Sequence, residues 1–93
     1  MKITLAVSGI AAAMIGAKEI ELSLPEGTTY QQIICRLGES YPDLRGIMLN
    51  SEGTALLNAN VFIANDFVIL ENRMDDSPQD GERLMLISFI VGG

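Results

Sequence analysis

An α+β fold, a mixed sheet of about five strands packed on one main helix, is what this sequence predicts. Period-two alternation over residues 2–7 and 19–24 supplies the first strands, and one apolar stripe between Tyr30 and Tyr41 supplies the helix. A last stretch that is apolar at both parities supplies a strand with two greasy faces. At 93 residues the chain is read as a single domain, 1–93, of modest core size and without room for a separate catalytic module.

In the first strand Ile3, Leu5 and Val7 alternate with Lys2, Thr4 and Ala6, and in the second Ile20, Leu22 and Leu24 alternate with Glu19, Glu21 and Ser23. The run ITLAVSGIAAAMIGA after Lys2 has the apolar character of a signal peptide, but the alternation assigns it to structure. Lys2 to Val7 and Glu19 to Leu24 are therefore expected as antiparallel strands joined by a flexible connection through Ser8, Gly9 and Gly16.

In LPEGTTYQQIICRLGESYP, Pro25 and Gly27 make a turn, and Thr28 or Thr29, each followed three residues later by Gln, caps a helix. Tyr30, Ile33, Ile34, Leu37 and Tyr41 then fall on one face, and Pro42 closes the element. Cys35 lies about 140° from Tyr30 on a wheel of 100° per residue, which makes it a partly exposed helix residue off the stripe. Further on, Asn50 to Gly53 and Asn65-Asp66 are turn signals between apolar runs, predicting a short hairpin arm and then a hairpin of Val61 to Ala64 with Phe67 to Leu70. In ENRMDDSPQDGE the carboxylates Asp75, Asp76, Asp80 and Glu82 lack the alternating oxygen ligands of a calcium loop, and turn chemistry explains Ser77-Pro78 and Asp80-Gly81.

The last strand is expected over Leu84 to Val91. With one helix to cover the sheet, one face of that strand is buried and the other looks outward, where an apolar patch marks a partner site. If Leu84 and Leu86 face the helix, Met85, Ile87 and Phe89 face away; the docking face is expected to include Met85 and Ile87 with Phe62 or Phe67. A loop, or the Ile47 to Leu57 arm, is the alternative cover for that face. Two strands, a helix, a hairpin and a final strand parallel to the first make a β-grasp arrangement.

Composition narrows the function. Twelve acidic residues against 6 basic give a net charge of −6, which opposes phosphate backbones and anionic lipid and favours a basic protein surface as partner. With no His and one Cys, the chain assembles no His-based triad, zinc cluster or disulfide framework, so no metal is expected and catalysis by its own side chains is disfavoured. The unpaired Cys35 fits a cytoplasmic protein.

The strand MKITLAV, the helix start LPEGTTYQQII, the segment LNSEGTALLNANVFIAN, the run QDGERLMLI and the ending IVGG together resemble the ubiquitin-like sulfur carriers MoaD and ThiS over nearly the whole chain. Length and the Asn50 to Gly53 hairpin bring it closer to MoaD, the small subunit of molybdopterin synthase.

That resemblance implies a carrier whose tail, 89–93, is its working part. Gly93 would be the covalent residue: a MoeB/ThiF-type adenylating enzyme would use ATP to form its acyl-adenylate, and sulfur from a persulfide would convert it to a thiocarboxylate. Gly92 would let backbone enter a narrow channel without side-chain clash, while Phe89, Ile90 and Val91 guide the tail. No cofactor would be bound by the chain itself. The sulfur acceptor stays open, because Ser88 and Phe89 stand where many MoaD-like tails carry proline: a molybdopterin or tungstopterin synthase large subunit, thiamin thiazole synthesis, or another route. A second reading is a ubiquitin-like modifier joined to lysines through Gly93; a third is a plain interaction domain with a frayed end. Without a partner, the exposed apolar face would allow homo-oligomers.

Overall fold

The alternating residues of the N-terminal run do form strands, and the apolar members of each point the same way. In a computed structural model, which describes residues 1–57 and 60–88, the order is β1 (Lys2–Val7), α1 (Gly9–Ile15), β2 (Glu19–Ser23), α2 (Tyr30–Ser40), β3 (Asn60–Ala64), β4 (Phe67–Ile69) and β5 (Arg83–Ser88). Short 3-10 turns occupy Pro42–Leu44 and Glu71–Arg73. The sheet runs β2-β1-β5-β3-β4, with β1 and β5 parallel and every other pair antiparallel. This is the β-grasp arrangement that the element pattern implies.

The core lies between the sheet and α2. Ile3, Leu5 and Val7 of β1, Leu84 and Leu86 of β5 and Phe62 of β3 are buried against Ile33, Ile34 and Leu37 of the helix. Full burial of each such side chain contributes roughly 1.5–3 kcal/mol. The helix starts at a capping box: Thr29 Oγ1 accepts the Gln32 N–H at 3.1 Å and Gln32 Oε1 accepts the Thr29 N–H at 2.9 Å. Of the two threonines, Thr29 is therefore the cap. Thr28 instead donates its hydroxyl to the Pro25 carbonyl at 2.6 Å.

Three sequence expectations change. The connection through Ser8, Gly9 and Gly16 is helical: α1 buries Ala11 in the core and closes with the Gly16 N–H on the Ala12 carbonyl at 2.8 Å. Its run of alanines is too short and too weakly amphipathic to show a stripe, so tertiary contact decides it. The hairpin arm is shorter than a pair of strands: its antiparallel pairing is the bridge Leu49↔Leu56, with the Asn50 N–H on the Ala55 carbonyl and the Leu57 N–H on the Met48 carbonyl, both at 2.9 Å, and Asn50 Oδ1 ties its turn by accepting the Thr54 N–H at 2.8 Å and the Ala55 N–H at 3.3 Å. It packs on the helix side, burying Met48 and Leu49 in the core, so it does not cover the far face of the sheet. Two glycines permit that approach: a Cβ on Gly38 of α2 would stand 3.2 Å from Gly53 Cα, and one on Gly53 (φ 72°) would stand 2.8 Å from Arg45 Nε. The third change, at Phe62, belongs to the functional face.

Candidate functional site

The apolar character of both parities in β5 follows from its place in the centre of the sheet. Leu84 pairs with Leu5 and Ala64, and Leu86 with Val7 and Phe62, all on the helix side. Met85 then pairs with Ala6 and Ile63, and Ile87 with Val61, all on the opposite side. Val68 of β4 pairs with Ile63 and extends the same outer face. Met85 and Val68 are 38% and 40% exposed, and Val61, Ile63 and Ile87 are half-buried. No element among the described residues closes over them completely.

This face has two halves. β5, β3 and β4 supply the apolar one, whereas β2 and the adjoining strands place Glu19, Glu21, Lys2 and Arg83 on the other by the same register. Arg83 Nη1 meets Glu19 Oε1 at 2.8 Å, an exposed pair worth about 0–1 kcal/mol.

Met85 and Ile87 lie on the outer face as expected from sequence. Phe62 does not: it is 0% exposed, shares the parity of Leu86, and sets its ring 6.4 Å from that of Tyr30. An aromatic ring gains most from full burial, and the space under α2 is the place that offers it. Phe67 is 74% exposed but pairs with Ala64, so its parity is that of the helix side, at the hairpin tip. The residues that sequence reasoning missed are Val61, Ile63 and Val68. The signal was present, since placing Phe62 inward turns Val61 and Ile63 outward in a strand.

Phe89, Ile90, Val91, Gly92 and Gly93 lie outside the described residues. The last described residue of β5, Ser88, pairs with Asn60 at the start of β3.

The polar candidates disperse. Asp76 pairs with Arg73, Asp80 Oδ1 accepts the Lys2 N–H at 2.7 Å, and Glu82 Oε2 accepts the Tyr30 hydroxyl at 3.1 Å. Burial, reinforced by the Glu82 carboxylate, pushes the Tyr30 phenol up to about 12. Among the described residues no group of three His, Cys, Asp or Glu side chains is placed to hold a metal ion. Cys35 is half-buried and free, on a shallow surface hollow with Gln32, Arg36 and Glu39. Among the described residues no helix is long and apolar enough to cross a membrane.

No family model matches the chain, and no curated protein matches it. Solved structures do. Small archaeal modifier protein 1 (SAMP1) of Haloferax volcanii superposes with a TM-score of 0.81 at 15% identity, covering 100% of both chains. A Pyrococcus furiosus protein provisionally described as molybdopterin converting factor, subunit 1, gives 0.77 at 15% identity over 97% of this chain and 99% of that one. A chain of the BexX/CysO complex of Amycolatopsis orientalis gives 0.71 at 18% identity over 98% and 99%. Full-length agreement at such identity establishes architecture: the chain has the ubiquitin-like β-grasp fold.

Proposed function

We propose that the chain is a ubiquitin-like sulfur carrier of the MoaD/ThiS type, whose Gly93 carboxylate is activated and converted to a thiocarboxylate. The observation that carries this reading is the end-to-end likeness to SAMP1 and to the molybdopterin converting factor subunit, over 97% or more of each chain compared. It is joined by a sequence in which β5 runs on directly into Phe-Ile-Val-Gly-Gly.

The chemistry belongs to the tail and its partners. A Gly93 carboxylate oxygen attacks the α-phosphorus of ATP on an adenylating enzyme and pyrophosphate leaves. The terminal sulfur of a persulfide displaces AMP from the acyl carbon, and a second thiol cleaves the S–S bond to free the thiocarboxylate. Gly92 and Gly93 carry no Cβ to clash with a narrow channel, and Phe89, Ile90 and Val91 offer apolar grip. The β-grasp domain supplies docking: the Met85, Ile87, Val61, Ile63 and Val68 face contributes contact, and Glu19 and Glu21 beside it steer a basic enzyme surface. Molybdopterin synthesis is the acceptor pathway we favour, with the thiazole of thiamin as the alternative.

The test is an intact mass after incubation with ATP, a MoeB-type enzyme and a sulfur donor, alongside a chain lacking Gly93. Replacement of one oxygen by sulfur in the full chain only is the expected result. No change in either, while the enzyme charges its own carrier in the same tube, would overturn it. The likeness to small archaeal modifier protein 1 supports a second reading, conjugation of Gly93 to lysines. Gly-Gly remnants of this chain on lysines of other cellular proteins would favour it.

A further inference from the structure

The β4 edge of the sheet borders a second surface, centred on the helix side, which shares only Val61 and Val68 with the docking face. Between α2, the arm and the turn after β4 runs a groove of ≈ 760 Å³, walled by Ile34, Leu56, Ile69, Leu70 and Met74. Such a volume is ample for several side chains of a bound segment.

Its edge is unusually open. β4 is the outermost strand, and the two-residue turn Asn65-Asp66 closes on Ala64 and Phe67. The alternation of an antiparallel ladder then directs the Val68 N–H and C=O away from β3. Among the described residues no backbone hydrogen bond takes up the Val68 N–H or C=O; just beyond, the Leu70 carbonyl accepts the Arg73 N–H at 2.8 Å. Sheet edges are commonly blunted by Lys or Pro; this one carries Phe67, Val68 and Leu70, exposed by 74%, 40% and 60%.

A buried acceptor lies just under the wall of the same groove, its oxygen without exposed surface. Asn60 is 7% exposed and lines it; its Nδ2 donates to the Leu57 carbonyl at 2.6 Å, which fixes the amide, and its Oδ1 finds no donor. Glu71 is the ionisable residue of the lining, in a chain of net charge −6. An apolar wall, an open strand edge, an unpartnered acceptor and negative charge together describe the ligand.

We propose that this groove docks an extended apolar peptide segment flanked by Lys or Arg, which adds to β4 as a further strand and, displacing the side chains that now cover it, donates a hydrogen bond to Asn60 Oδ1. Backbone pairing at Val68 supplies the register. Apolar side chains of the segment fill the space beside Ile34 and Leu56, and its basic flanks meet Glu71.

The experiment is an amide-resolved NMR titration of the full chain with a pool of synthetic peptides, a short run of Val, Ile, Leu and Phe flanked by Lys, against a matched pool flanked by Glu. Shifts confined to residues 31, 34, 54–57, 60–62 and 67–74 with the Lys pool, and weaker ones with the Glu pool, are expected. Two variants separate binding from folding. Asn60→Leu removes the unpartnered acceptor while the Leu57 carbonyl keeps the Asn60 N–H at 2.9 Å, so the melting temperature stays or rises while binding weakens about tenfold. Val68→Pro removes an outward N–H, leaving the ladder to β3 intact and the added strand unpaired. No shifts with either pool, shifts centred on Met85 and Ile87, or unchanged affinity in both variants would overturn the proposal. So would concentration-dependent broadening of the groove residues without peptide, which would make a second copy the occupant. The titration needs neither ATP nor Gly93, so a chain lacking Gly93 gives the same result whether or not the tail carries sulfur.

Discussion

Phe62 and Phe67 are five residues apart, and a reading of composition alone treats them alike. The fold separates them: one is 0% exposed beneath α2, the other 74% exposed at a hairpin tip. Phe62→Ala deletes a ring packed on Tyr30 and leaves a cavity in a small core, so a loss of about 3–5 kcal/mol is expected in urea unfolding. Phe67→Ala removes a side chain that has little to lose, and should stay within about 0.5 kcal/mol of the parent. Equal losses would mean that the β3–β4 register is wrong. The sequence distinguishes the two only through strand parity, and Val61 to Ala64 are apolar at both parities, so the pattern leaves open which set faces the helix. The space under α2 decides it, taking Phe62 inward and turning Val61 and Ile63 outward.

Elements with strong local chemistry were legible, and those held by tertiary contact were not. The α2 stripe, its Thr29 cap and the alternation of β1 and β2 each follow from spacing that local physics requires. The seven residues of α1 are below the length at which a helix stands alone, and only burial of Ala11 fixes it. The arm is intermediate: the Asn50 to Gly53 turn and a minimal antiparallel pairing form as the patterning implies, but side-chain bonds from Asn50 carry part of it. The β3–β4 turn is a second intermediate case. Its Asn65 and Asp66 both have positive φ, 52° and 67°, as a type I′ turn needs. Asn tolerates that region well, whereas Asp at the second position retains a Cβ penalty. Asp66→Gly should therefore raise stability by about 0.5 kcal/mol, seen as a melting temperature higher by a few degrees. A lower melting temperature would show that the Asp66 side chain stabilises the turn by more than the strain it bears.

Across the whole molecule, β5 lies centrally between β1 and β3, so the outward Met85 and Ile87 stand on the strand whose sequence runs on into residues 89–93. On the proposed carrier reading, one strand thus serves both docking and the tail. The two halves of the outer face should act on different steps of association. Glu21 lies in the charged half, exposed and opposite Thr4; on the proposed reading it adds to the long-range attraction of a chain of net charge −6, which acts before contact and is screened by salt. Met85 lies in the apolar half and contributes area that is buried only after contact. With a MoeB-type enzyme in stopped-flow mixing, Glu21→Lys should slow association several-fold at low salt, on the order of tenfold at most, and the difference should shrink as salt rises. Met85→Asp should leave the association rate within about threefold and speed dissociation by a factor of ten or more, on the order expected for a polar group forced into an apolar contact. Both substitutions sit at solvent-reached positions, so far-ultraviolet circular dichroism and melting should change little. If Met85→Asp leaves dissociation untouched, the enzyme grips some other surface, and the apolar half of the sheet is then free for a different partner.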